Sequence, residues 1–439
     1  MLQKFKKYDT QSEFGKYLAN TSWLLGERIL RMATGLFVGI WLARYLGPEE
    51  FGMLSYALSF SALFTVMAAL GLDEILVREL LKWDPNSRNK LLGTAFVLKL
   101  FGAVAVLILL FFSIFSISND RELNIIVMLV ASTVVFQSFN VVDFYFQSKV
   151  LSRYVAYANA ISLFISSLLK VMFILSEAPL ITFAWLVLFE SVILSLGYIY
   201  FYLKVGERKN KWVFDKKTAL LLLKDSWPLI ISSVVITAYM KVDQVMIKSL
   251  LDAGAVGQYA AAVGLSEAWH SISFIITGSI FPSILKARKH SDKVYYDKLQ
   301  NVFNLMAGLS FVIAMVMTFC SIWLVDTLYG GQYDQTASVL TIHIWSSVFV
   351  FLGAASGKWY IAESLPGLIF FRAFFGMFIN VFLNLMLIPK YGIQGAAMAT
   401  LISQFGAHYI FDLFSSKSRR LFYMKSKSLM LFGFFSRNE

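Results

Sequence analysis

From residue 18 to residue 414 the chain is a succession of long apolar runs, and that pattern leaves few folds open to it. A hydrocarbon layer about 30 Å thick is crossed by about 20 helical residues. Runs of that order predict twelve helices, over 18–43, 52–72, 91–117, 123–147, 153–175, 180–203, 225–248, 257–284, 299–324, 335–357, 366–388 and 392–414. In lipid only helices and closed barrels satisfy every backbone N–H and C=O. Barrel strands alternate polar and apolar residues, and these runs do not. The predicted fold is therefore all-α and polytopic. Composition agrees, with 15% charged residues against about 25% in soluble domains.

Cytoplasmic loops of membrane proteins carry an excess of Lys and Arg. With the N-terminus inside, 30 of the 39 basic residues fall in inside segments or close to their helix ends. Only Arg44, Arg121, Lys248 and Lys390 fall outside, and Arg28, Arg31, Lys99, Lys170 and Lys241 lie within spans. This asymmetry predicts that both termini are cytoplasmic, and it accounts for the net charge of +12 without a nucleic-acid partner. The first apolar run is too long for a signal h-region, so no cleavable signal is expected. The tail over 415–439 is too short and interrupted to span and is expected to lie at the inner interface.

The loops exclude several activities. No Gly-x-x-x-x-Gly-Lys-Ser/Thr sequence is present, so no built-in ATPase is expected. His270, His290, His343 and His408 are scattered and show no metal-ligand spacing. Nothing resembles a nucleophile elbow, and the single Cys320 can form no internal disulfide. The outside loops are short for a membrane glycan polymerase or ligase. The pattern points to a transporter rather than an enzyme, with no cofactor implied.

A weak repeat runs through the chain. "LGPEEFGMLSYALS" (46–59) and "LDAGAVGQYAAAVG" (251–264) align at an offset of 205, with Phe51-Gly52 on Val256-Gly257. A plain reading is that any short turn between helices needs Gly. The separation by six helices favours two halves in the same orientation, an N-terminal lobe over 18–210 and a C-terminal lobe over 211–414. Parallel repeats of this kind are related by an axis along the membrane normal.

"RYLGPEEFGMLSYALSF" (44–60), "SWPLIISSVVITAYMKVDQVMIKSLLDAGAVGQYAAAVGLSEAW" (226–269), "FPSILKARK" (281–289) and "LYGGQYDQTASVLTIHIW" (328–345) carry a resemblance. The chain resembles the Wzx-type O-antigen repeat-unit flippases, of the multidrug/oligosaccharidyl-lipid/polysaccharide (MOP) exporter superfamily. The resemblance implies a bacterial inner-membrane protein of two pseudo-symmetric six-helix lobes around a central cavity lined by helices one, two, seven and eight. It implies an undecaprenyl-pyrophosphate-linked glycan as substrate, turned over to the periplasmic leaflet by alternating access. Coupling to H⁺ or Na⁺ is common in that superfamily. A cation-coupled drug exporter of the same superfamily is the main rival.

The charged residues inside spans are the candidate site. Arg28 and Arg31 are three apart and share a face of the first helix. An Arg at mid-span costs about 2.5–3.5 kcal/mol on the insertion scale, so both need a partner or a wet cavity. Glu27 adjoins Arg28 and is expected to point elsewhere. With Lys241, the two arginines are the candidate pyrophosphate contacts, because a guanidinium grips phosphate oxygens bidentately. Asp243, Glu267 and His270 are the candidates for ion coupling. An equally simple reading makes these charges structural ion pairs, such as Arg31 with Asp243 or Glu267. Lys99 and Lys170 are expected to snorkel to the interfaces, and Asp412 to be solvated. Asp143 and Glu190 are either satisfied core acids or proton sites. Asp73, Glu74, Arg78 and Glu79 are expected in a surface-lying inside helix.

The charge asymmetry sets a topology test. In a Cys320→Ser background, Asp252→Cys and Asp334→Cys should react with an impermeant thiol reagent from outside. Lys211→Cys and Lys289→Cys should react only after the membrane is opened. The reverse pattern would invert the assignment.

Overall fold

The computed structural model describes residues 2–84, 87–205 and 211–430, with side chains described from Ser22 onward apart from Leu24 and Leu25. Among these residues all regular secondary structure is helical. Ten stretches are long and apolar enough to cross a membrane, as expected of a multi-pass membrane protein. Two of them are too long for one crossing: 43 residues over Gly26–Ala68 and 49 over Pro366–Phe414. At a rise of about 1.5 Å per residue each would reach roughly 65 Å or more. Both are broken by glycine. In α1 (Leu2–Ala68) Gly47 adopts φ 70°, ψ 173°, and in α14 (Pro366–Phe405) Gly392 adopts φ 59°, ψ −142°. Only glycine enters these regions without strain. Pro48, just past the first break, starts a new helix where its missing N–H is not needed. The two breaks turn ten stretches into the twelve crossings that the apolar runs predicted.

Between them lie α2 (Leu76–Lys82), α3 (Arg88–Ile117), α4 (Arg121–Gln137), α5 (Val141–Ser148), α6 (Arg153–Leu175) and α7 (Leu180–Val205). The second part of the chain holds α8 (Lys216–Leu250), α9 (Ala253–Glu267), α10 (His270–Arg288), α11 (Asp292–Tyr329), α12 (Thr336–His343) and α13 (Ser346–Ala362). After α14 come a π-helical turn over Gly406–Ile410, α15 (Phe411–Phe414) and α16 (Arg419–Leu429). Helix starts follow their capping residues: Asp120 accepts from the N–H groups of Glu122 and Leu123, and Asp252 from Ala255. Three predicted single spans are interrupted. A 3₁₀ turn at Ser138–Asn140 parts α4 from α5, and α9/α10 and α12/α13 meet at short breaks.

By contacts the chain divides into two compact units, one of residues 1–42 and 57–234, the other of residues 43–56 and 235–439. The division falls inside α8, not in the loop near residue 210, and the corner over 43–56 goes with the second unit. In the first unit, Leu72, Leu76, Leu80, Leu91, Leu92, Val141 and Phe146 form a buried core. Small residues bring its helices close: the Ser162 hydroxyl donates to the Glu190 carbonyl at 2.9 Å, and a Cβ at Gly197 would sit 3.1 Å from the Ala158 methyl.

In the second unit the repeated glycines meet each other. A Cβ on Gly52 would fall 1.8 Å from the Ala253 carbonyl oxygen, and one on Gly257 1.9 Å from that of Pro48. The two encounters exchange under the same offset of 205. These glycines are needed for close helix approach, which the plain turn reading does not explain.

One expectation at the tail is corrected. Asp412 is not solvated: it is fully buried and paired at 2.6 Å with Lys425, also fully buried. The Tyr360 hydroxyl donates to the same carboxylate. Lys425 belongs to α16, which docks Leu421, Met424, Lys425 and Ser428 inward. Gln300 of α11 donates to the Met424 carbonyl at 3.0 Å and to the Ser428 hydroxyl at 2.8 Å. The tail helix is thus seated on its unit, with Arg419, Tyr423 and Lys427 left exposed. Burial pushes the Lys425 ammonium below its ordinary value, against the opposing pull of Asp412.

Removing one member of such a pair strands a buried charge, at a cost of about 3–5 kcal/mol. Asp412→Ala should therefore lower the apparent unfolding temperature of the detergent-solubilised protein sharply. Combining Asp412→Leu with Lys425→Met should recover most of the loss.

Candidate functional site

Polar and charged side chains gather at one place in each unit. In the first unit the gathering begins on α1. Glu27 and Arg31 are one turn apart, and the guanidinium bonds the Glu27 carboxylate at 2.8 Å through both Nε and Nη2. Glu27 does not point elsewhere: its i,i+4 partner takes it. Arg28, off that stripe, is exposed, and among the described residues no carboxylate lies within ion-pair distance of it. No atom lies within 4 Å of where a Cβ would stand on Gly26, Gly35 or Gly39, so α1 borders open space along this stretch.

Around this pair stand groups from other helices of the unit. Asp143 on α5 accepts from the Gln147 amide at 2.9 Å and is within electrostatic reach of Glu27, Asp73 and Lys99. Tyr198 on α7 donates to the Asn159 Oδ1 at 3.3 Å and lies within reach of Asp143, Arg31 and Glu27. Lys99 corrects an expectation. It does not snorkel: it is 4% exposed and bonded at 2.6 Å to Asp73, with the Phe144 ring 5.6 Å away. Asp73 sits in the 3₁₀ turn Leu72–Glu74, past the end of α1, where Leu70 and Gly71 adopt positive φ. Beside the Lys99–Asp73 pair is a cavity of about 20 Å³ whose lining includes Gln137, Ser138 and Asn140. Lys170 pairs with Glu190 at 3.2 Å, both side chains about a quarter exposed. Of the expected surface acids, Glu79 is buried and bonded by Arg78 and Lys82, each at 3.0 Å.

In the second unit the centre is Asp243 on α8, 6% exposed. Its Oδ2 accepts from Tyr259 of α9 at 2.9 Å and Thr400 of α14 at 2.6 Å, and its Oδ1 from the Asn384 amide at 2.6 Å. Asn384 also donates to Asn380 at 3.1 Å. The Asn384 Oδ1 and Asn380 Nδ2 are buried without a hydrogen-bond partner. Turning these amides over would present carbonyl oxygens beside the Asp243 carboxylate and the Thr400 hydroxyl. One carboxylate with neutral oxygens is a donor set for a hard monovalent cation or a proton. Among the described residues no group of three His, Cys, Asp or Glu could hold a metal ion. Glu267, at the end of α9, lies within electrostatic reach of Lys241 and Asp243. His270 begins the next helix and bonds Ser347 at 3.0 Å, while His343 bonds Ser266 at 3.0 Å.

Sequence reading found Asp243 but not its partners. Asn380 and Asn384, four apart in the apolar run "INVFLNLML", carried the signal. Tyr259 and Thr400 carried none, because hydroxyls are common in spans and only the fold brings these two together.

The helices define an all-helical, multi-pass membrane protein. A family model described as polysaccharide biosynthesis protein matches residues 17–288. The chain belongs to that family. The capsular polysaccharide biosynthesis protein CapF of Staphylococcus aureus is 22% identical over 400 residues, 88% of this chain and 96% of that one. An uncharacterized membrane protein of Methanocaldococcus jannaschii is 23% identical over 421 residues, 89% of this chain and 82% of that one. Among solved structures, the lipid II flippase MurJ in an inward closed conformation aligns with a TM-score of 0.72 at 18% identity, covering 96% of this chain and 93% of that one. An inward-facing multidrug resistance MATE family transporter of the MOP superfamily aligns at 0.70 and 13% identity, over 91% and 96%. The family and fold expected from residues 44–60, 226–269, 281–289 and 328–345 are borne out.

Proposed function

We propose that this protein is a flippase that carries an undecaprenyl-pyrophosphate-linked oligosaccharide, an O-antigen or related surface-polysaccharide unit. Transfer runs from the cytoplasmic to the periplasmic leaflet of a bacterial inner membrane, by alternating access, with both termini cytoplasmic. The observation that carries this reading is the cationic stretch of α1, Arg28 and Arg31, beside open space inside a span. A diphosphate leaving water needs fixed cations in place of its hydration, and Arg offers the fork that fits it. Membership of the polysaccharide biosynthesis family and the likeness to a capsular polysaccharide protein support a glycan-lipid over a drug. Lys241, in reach of Glu267, is the third cationic candidate. A drug exporter for cations would call for acids in place of these groups. A polymerase or ligase would call for catalytic loops that the chain's short connections do not supply.

Arg31 tests the assignment in a reconstituted flipping assay with a glycan-lipid substrate. Arg31→Lys should keep part of the rate, since charge remains and the fork is lost. Arg31→Ala should lose at least roughly tenfold, in line with about 1.5–3 kcal/mol for a charged hydrogen bond, and Arg31→Glu should abolish transport. A parental rate in a normally accumulating Arg31→Ala protein would remove the phosphate role.

Asp243 and Glu267 are proposed to link transport to a Na⁺ or H⁺ gradient, with Asp243 favoured by the neutral Tyr259 and Thr400 hydroxyls and Asn384 amide that meet it. In proteoliposomes, the parent should respond to an imposed gradient of one of these ions, and Asp243→Asn should not. Full gradient dependence in a variant carrying both Asp243→Asn and Glu267→Gln would exclude the coupling role.

A further inference from the structure

The tail helix α16 spends its inner side on its own unit and leaves a basic face outward. Leu421, Met424, Lys425 and Ser428 are buried, and the Lys425 ammonium bonds both Asp412 and the His408 carbonyl. On the exposed side Arg419 and Lys427 stand eight residues apart, with Arg420 beside them and Lys417 just before the helix. No Asp or Glu occurs from 413 to 430. Arg420 lies across the Tyr296 ring of α11, 3.2 Å from its centroid, and Arg419 donates to the Leu413 carbonyl at 3.4 Å. Asp292 and Asp297 of α11 are exposed on either side of Tyr296 in sequence. Among the described residues, however, no carboxylate lies within ion-pair distance of these four cations. Large apolar side chains stand among them: Phe414 is 68%, Tyr423 62% and Met430 65% exposed. A solvated face mixes charges of both signs. A face of one sign interleaved with apolar and aromatic groups suits the headgroup layer of a bilayer.

Position selects a lipid surface over a partner free in solution. The last stretch of membrane-crossing length ends at Phe414. A single turn joins it to α16, since the N–H groups of Ser418 and Arg419 both donate to the Ser415 carbonyl, at 3.1 and 2.9 Å. Such a turn advances about 5–6 Å, less than the screening length of about 8 Å at physiological salt. We propose that the exposed face of α16 is a docking surface for the acidic phospholipid headgroups of the surrounding leaflet, the inner one in the orientation given above. Lys417, Arg419, Arg420 and Lys427 meet the phosphates, and Phe414, Tyr423 and Met430 enter the layer beneath. The Lys425–Asp412 pair and the Gln300 bonds hold the helix, so these cations are in place before a lipid arrives. The same bonds tie α16 to α11 and α15, so lipid bound there stabilises the folded unit by mass action. The ligand is a lipid of the bilayer itself, and the inference is independent of the substrate carried and of the Arg28 and Arg31 reading.

The test reads the apparent unfolding temperature of the purified full-length protein in maltoside micelles, titrated with dioleoylphosphatidylglycerol or dioleoylphosphatidylcholine. The parent should be stabilised by the phosphatidylglycerol and much less by the phosphatidylcholine, and the difference should shrink in about 0.5 M salt. A cation near an anionic surface contributes about fivefold in affinity, so Lys427→Gln should raise the half-maximal phosphatidylglycerol concentration about fivefold. On the same basis Lys417→Gln/Arg419→Gln/Lys427→Gln should raise it by at least about tenfold. A control that removes equal charge from exposed positions of α8, Lys216→Gln/Lys217→Gln/Lys224→Gln, should keep the parent's midpoint. Lys427→Gln alone carries the test if the triple variant does not accumulate. Equal midpoints in the parent and the tail variants, equal loss in both triple variants, or an equal response to the two lipids overturns the proposal. The same stabilisation by inorganic phosphate also overturns it, since the face would then take a free anion rather than a lipid surface.

Discussion

A charge inside a membrane must be matched by another group or kept wet, and the packing of this protein follows from how it meets that demand. Arg31 with Glu27, Lys99 with Asp73, Lys170 with Glu190, and Lys425 with Asp412 are all pairs closed within a single unit. The penalty for a lone ion in low dielectric is several kcal/mol, which is of the order of a whole domain's stability. Each pair therefore fixes the helices that carry it. Lys99 ties α3 to the turn after α1, Lys170 ties α6 to α7, and Lys425 ties the tail helix to α15.

Asp243 answers the same demand differently. Its carboxylate is met by hydroxyls and an amide from α9 and α14. Neutral donors can rotate to become acceptors, as an ammonium cannot. The acids paired with Lys face a fixed cation, while Asp243 faces only the neutral groups of Tyr259, Thr400 and Asn384. That difference in partners is the ground for the ion role proposed for Asp243.

Hydropathy made the spans legible, because lipid reads length and apolarity along one dimension. The glycine breaks were also visible, in "LGPEEFG" and "KYGIQG". Depth alone misled at Lys99, Lys170 and Asp412. Each lies near a span end, where snorkelling or solvation is the simple expectation, and each is instead claimed by a residue on a neighbouring segment. Helix spacing could have found the Glu27–Arg31 pair, since four residues bring side chains together on any helix; the neighbouring Arg28 drew attention from it. The Asp243 partners lie up to 157 residues away in sequence, and no local rule connects them.

The reciprocal contact of Gly52 and Gly257 has a genetic consequence. Because the helix bearing one glycine receives the other, the two positions form a single steric element with two addresses in the gene. A side chain at either would force the same pair of helix starts apart. Once that gap exists, a second side chain at the other address finds room already made, so the two substitutions should fall well short of additivity. Such a site is guarded twice while both glycines stand and scarcely at all after one is lost. Sequence drift at 52 and 257 should accordingly be correlated, although 205 residues separate them.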